Sequence, residues 1–173
     1  PKNPACPLML GMVQRKLGKL DAARASLVRS ARMDPDNAFA WGTLADIALG
    51  ENHLDICLQY IEKARLLQPE NKEWRLIEAR ALKRKGDPAG ALRLLTPLDS
   101  SQKREAAVAR QIAECFALLG RQAEAASALA DAAVADAVNA DLAYEAATAF
   151  ERAGNRTRAL DFATQAQILG TAS

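Results

Sequence analysis

Few side chains in this chain of 173 residues could carry covalent chemistry, and none is spaced for it. The single histidine, His53, has no second histidine and no C-x-x-C pair to complete a metal set, so it reads as a solvated turn residue. Cys6, Cys57 and Cys115 are an odd count, far apart and without a C-x-x-C pair. That argues against a disulfide framework and a zinc site and points to a reducing compartment. Cys57 and Cys115 read instead as small buried hydrophobes. The Gly18-Lys19 step is not a phosphate loop, because Leu20 follows the lysine and Val13 stands where the first glycine is required. No catalytic residue, no metal ligand and no cofactor is expected, and the chain reads as a non-enzyme. The side chains left with a chemical role are cations and carboxylates able to make charge-assisted hydrogen bonds.

The elements that position them follow from composition. Half of the residues are apolar, 25% are charged and 5% are aromatic, which places the chain among globular proteins. Abundant alanine, with glycine and proline falling at intervals, favours closely packed helices over strands, so the expected class is all-α. The 23 basic and 21 acidic side chains leave a net charge of +2. No global field would then steer the chain to nucleic acid or a membrane surface, and nucleic acid is not an expected partner.

The chain repeats itself. Cut at residues 4, 38, 72, 106 and 140, it gives five blocks of 34 residues without an insertion. The eighth position of each block is Gly11, Ala45, Ala79, Ala113 and Ala147; the twentieth is Ala23, Cys57, Ala91, Ala125 and Ala159. Position 24 carries Leu27, Ile61, Leu95, Leu129 and Ala163. Small residues at fixed sites on two successive helices let the backbones approach, and the larger residue fills the space beside them. Gly18, Gly86, Gly120 and Gly154 recur at position 15, with Asn52 replacing glycine in block two, where a helix ends in the left-handed conformation. Asp87 and Pro88 suit an N-cap and first turn, and Pro35 and Pro69 close blocks one and two. Pro97 is expected to end the second helix of block three about a turn early. The helices are placed near 5–17, 20–33, 37–50, 54–67, 71–85, 88–96, 102–119, 122–135, 139–153 and 156–169.

The pattern resembles the tetratricopeptide repeat family, whose hallmark is W-x2-L-G-x2-Y, then A-x3-F, then P. Block two carries the likeness best, with Trp41, Leu44, Ala45, Cys57, Ile61, Ala64 and Pro69. Trp41 matches the family's core tryptophan; Trp74 is one residue out of register, and the pattern does not set its direction. The resemblance implies a right-handed α-α superhelical solenoid of antiparallel helix hairpins, one domain over residues 1–173, with repeats 4–37, 38–71, 72–105, 106–139 and 140–173. It also implies a concave groove lined by first helices, with contacts from block positions 2, 5, 9, 12 and 13. These give Met12, Arg15 and Lys16 in block one, Phe39 and Asp46 in block two, and Leu76, Arg80, Lys83 and Arg84 in block three. Blocks four and five add Arg110, Glu114, Tyr144 and Arg152. The pair Arg15-Lys16 returns as Lys83-Arg84, with Arg80 and Arg110 alongside, so the middle of the groove should be basic. The partner implied is a protein or peptide offering an acidic segment or a terminal carboxylate. The co-chaperone clamp for chaperone tails is disfavoured, since its lysine, asparagine and arginine sites are Leu8, Met12, Thr43, Glu73 and Ile77 here.

The last helix should leave Leu160, Phe162, Ile168 and Leu169 partly uncovered, which calls for a neighbour. Self-association through terminal repeats is one alternative. A second is that the repeats form the helical portion of a larger bacterial enzyme, such as a sulfotransferase or glycosyltransferase fusion; the alanine and arginine content suits a bacterium of high G+C content. No apolar run long enough to span a bilayer and no leader pattern is visible, so no membrane insertion and a cytoplasmic location are expected. The periplasm stays open, because the chain begins at Pro1 without a methionine.

Overall fold

A computed structural model describes residues 3–171. Among them there are eleven helices and no strand. They fall into two compact units, Pro1–Gly86 and Asp87–Ser173. The first unit holds α1 (Ala5–Lys16), α2 (Leu20–Met33), α3 (Ala38–Gly50), α4 (Leu54–Leu67) and α5 (Lys72–Arg84). The second holds α6 (Pro88–Leu95), α7 (Ser100–Arg104), α8 (Ala106–Leu118), α9 (Gln122–Ala135), α10 (Ala140–Arg152) and α11 (Arg156–Thr171).

Within each unit, successive helices fold back as hairpins, α1 on α2 and α3 on α4, then α8 on α9 and α10 on α11. The turns explain why. Gly18, Gly86, Gly120 and Gly154 have φ of 72°, 89°, 76° and 77°, and Asn52 has φ of 61°. A residue in that conformation lets the next amide reach back to the helix it has left. Lys19 N–H donates to Gln14 O, His53 N–H to Ala48 O and Arg121 N–H to Phe116 O, and orphan carbonyls are satisfied. The first helices α3, α5 and α10 begin at Asn37, Asn71 and Asn139, whose side chains accept from the Ala40, Glu73 and Leu142 amides.

The small and large positions meet as expected. Ala23, Cys57, Ala91, Leu27, Ile61 and Leu95 are all fully buried. A Cβ on Gly11 would stand 2.6 Å from Leu27 Cγ, so in block one the close approach of the helices needs glycine itself. In block five, Ala163 is exposed and the large residue is supplied by Phe162, which is buried and stacked on Phe150 at 5.7 Å. Phe162 therefore departs from the expectation of an uncovered residue, whereas Leu160 and Ile168 are exposed. Pro97 acts as read: α6 stops at Leu95, and Leu98 turns inward to a buried position. The helix expected over 102–119 is broken. Asp99 and Gln102 form a capping box that starts the short α7, and Glu105 is extended at φ −63° and ψ 132°, so α8 begins anew at Ala106.

Candidate functional site

First helices supply the polar side chains that converge in each unit. In the first unit, Arg15 on α1, Asp46 on α3, and Arg80 and Arg84 on α5 border a cavity of about 310 Å³. Asp46 lies between two guanidinium groups. One carboxylate oxygen accepts from Arg15 Nη1, and the other faces Arg80 Nη2 at 3.6 Å. Arg84 reaches across to donate from Nη1 to the Leu49 carbonyl at 2.7 Å, in the last turn of α3. Carbonyls of a last helical turn carry the negative end of the dipole, so this contact orients a cation without neutralising it. Leu20, Ile47 and Leu49 give the cavity its apolar part.

Three guanidinium groups thus border a cavity with one carboxylate, which pairs with two of them, a local surplus of positive charge in an otherwise nearly neutral chain. The Nε atoms of Arg15 and Arg80 are buried without a hydrogen-bond partner among the described residues. Donors left in this state favour an added acceptor.

Cys57 sits fully buried on α4. Burial, reinforced by the Asp46 carboxylate, pushes its thiol up to about 11, and that removes it as a nucleophile near neutrality. His53 is exposed in the α3–α4 turn, 3.5 Å from Glu51. Among the described residues no group of three or more His, Cys, Asp or Glu could hold a metal ion.

The second unit builds its cavity differently. About 340 Å³ is bordered by Arg110 and Glu114 on α8 and by Tyr144, Glu145 and Arg152 on α10, over a floor that includes Ala113, Ala125 and Leu129. Arg110 Nε donates to both oxygens of Glu145, at 3.0 and 2.8 Å, which raises the Arg110 pKa further above its already high value. Tyr144 is exposed at the rim.

Of the groove positions read from the sequence, Arg15, Asp46, Arg80 and Arg84 meet in the first cavity, and Arg110, Glu114, Tyr144 and Arg152 in the second. Met12, Lys16, Phe39, Leu76 and Lys83 border neither. Leu76 is buried, and Phe39 stands edge-on to Trp74 with centroids 5.7 Å apart. Trp74, whose direction the repeat pattern did not set, is buried against Gly42, where an added Cβ would meet its ring at 2.2 Å. Glu145 was missed, although a lone acidic residue following Tyr144 was the available signal.

The tetratricopeptide repeat model matches residues 8–37, which span α1, the Gly18 turn and α2. The structure is similar to MamA from Desulfovibrio magneticus RS-1, with a TM-score of 0.84 at 12% identity over 98% of this chain and 96% of that one. Residues 8–37 thus match a tetratricopeptide repeat, and the described chain shares that structure's fold. Two further solved structures share the fold. YrrB, described as a TPR protein with an unusual peptide-binding site, has a TM-score of 0.74 at 20% identity, covering 96% of this chain and 86% of that one. PilF of Pseudomonas aeruginosa has a TM-score of 0.81 at 16% identity over 95% and 75%. No curated protein matches the sequence. No helix among the described residues is long and apolar enough to cross a membrane. The chain shares the fold of these structures, and its candidate sites lie on first helices.

Proposed function

We propose that this repeat protein is a non-catalytic scaffold that holds a peptide or an extended segment of a partner protein, and that an acidic group of that segment seats among Arg15, Arg80 and Arg84. The observation that carries the reading is the sharing of one carboxylate, Asp46, by cations from α1 and α5 beside a third guanidinium. A ligand carboxylate entering there meets donors already oriented, so little side-chain entropy is lost on binding. Peptide binding, the property named for YrrB, fits this chemistry. The remaining groove residues of the first unit, Met12, Lys16, Phe39 and Lys83, would contact the rest of such a segment.

The test is a fluorescence titration of acidic and neutral peptides, with free and amidated C-termini, against the wild type and the variant Arg15→Gln, Arg80→Gln, Arg84→Gln. Acidic peptides should bind with a salt-dependent Kd that the variant weakens by about tenfold or more, with unchanged helical circular dichroism. Equal binding of acidic and neutral peptides, or an unaffected variant, would refute the reading.

A further inference from the structure

Around the cavity of the first unit, the cations Arg15, Arg80 and Arg84 stand against the single anion Asp46, which leaves two positive charges unmatched. The acids that flank the cluster along the chain do not cancel them. Glu51, which follows α3, is held by Arg24 at 2.5 and 2.6 Å, and Glu78, two residues before Arg80, is held by Arg65. One carboxylate from a ligand would match only half of the surplus. A phosphate monoester carries about −1.5 to −2 near neutral pH and matches nearly all of it.

The donors point the same way. Arg80 approaches Asp46 only at 3.6 Å, beyond good hydrogen-bond distance, and its Nε is buried without a hydrogen-bond partner among the described residues. Arg15 reaches Asp46 through Nη1, and Arg84 is tied through Nη1 to the Leu49 carbonyl, which carries no full charge. A guanidinium has five N–H donors in a planar fork, so these contacts engage a small part of each. Yet Arg15 and Arg80 face the two oxygens of one carboxylate, so α1 and α5 bring their donors within the span of a single small anion. A phosphate offers three acceptor oxygens to three such forks, where a carboxylate offers two.

The rest of the lining narrows the source of the group. Among the described residues that border the cavity there is no aromatic ring on which a nucleobase could stack. Leu20, Ile47 and Leu49 are there instead, and they suit the carbon stem of an amino acid.

Resting on the peptide-binding reading, we infer that the acidic group this site takes is a phosphate monoester, borne by a phosphorylated serine or threonine of the bound segment. Its oxygens accept from all three guanidinium groups, and Arg80 contributes most because its hold on Asp46 is loose.

The test is fluorescence anisotropy with labelled peptides of one neutral sequence carrying phosphoserine, glutamate, two adjacent glutamates or serine at the same place. At about pH 7.5 the phosphopeptide should bind the wild type about tenfold more tightly than either glutamate peptide, and the serine peptide should bind least. That advantage should shrink to about threefold or less at about pH 5.5, where the phosphate has taken up its second proton and the glutamates keep their charge. A change in the protein's own charge, at His53 in the α3–α4 turn for example, would move all the charged peptides alike. Arg80→Gln should weaken the phosphopeptide about tenfold or more and the single-glutamate peptide less, and Arg80→Lys, which keeps the charge without the fork, should restore only part of the loss. Inorganic phosphate should displace the phosphopeptide only far above that peptide's own Kd, since it lacks the stem. Equal affinity for phosphoserine and paired glutamates, or a preference that Arg80→Gln leaves intact, would overturn the phosphate assignment and leave the acidic-peptide reading standing. Displacement by inorganic phosphate at that Kd would make the free ion the ligand and overturn the assignment to a side chain. If none of the charged peptides binds, both readings fall.

Discussion

The two units place charge at different heights on the same kind of helix. In the first, position 5 of each block is apolar or absent as a side chain, with Leu8, Gly42 and Leu76, and the charges sit further along at Asp46, Arg80, Arg15 and Arg84. In the second, position 5 is polar, with Arg110 and Tyr144, and both border the cavity. The consequence is electrostatic. Arg110 is held bidentately by Glu145, one cation to one anion, whereas Asp46 must serve two guanidinium groups beside a third. A closed pair has little left to offer a ligand, while an unbalanced cluster does. Repeats with one fold thus differ in what they can bind through a few side chains, and the fold alone does not choose the partner.

The comparison breaks most severely at Gly42. Trp74 fills the space that a side chain at this position would need, with its ring 2.2 Å from where a Cβ would be. Gly42→Ala should therefore cost about 1–3 kcal/mol through displacement of the indole, read as a lower urea midpoint. Gly50, on the same helix, has open space around an added Cβ, so Gly50→Ala should leave the midpoint unchanged or raise it. Equal effects of the two substitutions would mean that the indole is not what holds position 42 to glycine.

This residue also marks where sequence reading stops. Helices, turns and small buried sites were legible because each depends on local backbone chemistry: Gly86 ends a helix whatever its surroundings, and Pro97 ends α6. The break at Glu105 was not legible from the repeat alone, because it arises from the capping box of Asp99 and Gln102, two residues outside the repeat pattern. The site was legible as a set of positions but not as a set of pairs. Arg15 and Asp46 stand in different blocks, and whether Arg80 shares that carboxylate depends on how three helices stack. For the same reason Gly42, a groove position by count, is a packing position in fact.

Asp46 sharpens the comparison. Asp46→Asn keeps the size of the side chain and removes the charge that Arg15 and Arg80 share, so an anionic peptide would no longer compete with an internal carboxylate. Its affinity should rise about three- to tenfold, more at low salt than at high. Glu145→Gln, the matching change in the second unit, should leave that affinity within about twofold. If Asp46→Asn weakens binding instead, the aspartate contacts the ligand directly and the cluster is not an anion seat.

Near neutral pH the smallest effect is expected from Cys57, a buried thiol that feels the charges of this cluster. Its pKa is raised from 9.0 to about 11, first by burial and then by the Asp46 carboxylate, with Arg80 and Arg84 opposing in part. Because the folded thiol holds its proton over an interval in which the unfolded one has lost it, unfolding there releases a proton. Stability should accordingly be unaffected by this group below about pH 9 and fall as pH rises toward 11. In Cys57→Ala, which keeps the small residue that position 20 requires, that part of the decline should vanish from the urea midpoint measured against pH. Asp46→Asn should shrink it without abolishing it, since burial is the larger cause. Alkylation gives a second reading: iodoacetamide near pH 8 should modify exposed Cys6 in the folded protein and reach Cys57 only after denaturation. Rapid labelling of Cys57 in the folded state would show that α4 opens toward the cluster, and the site would then be less preorganised than its geometry indicates.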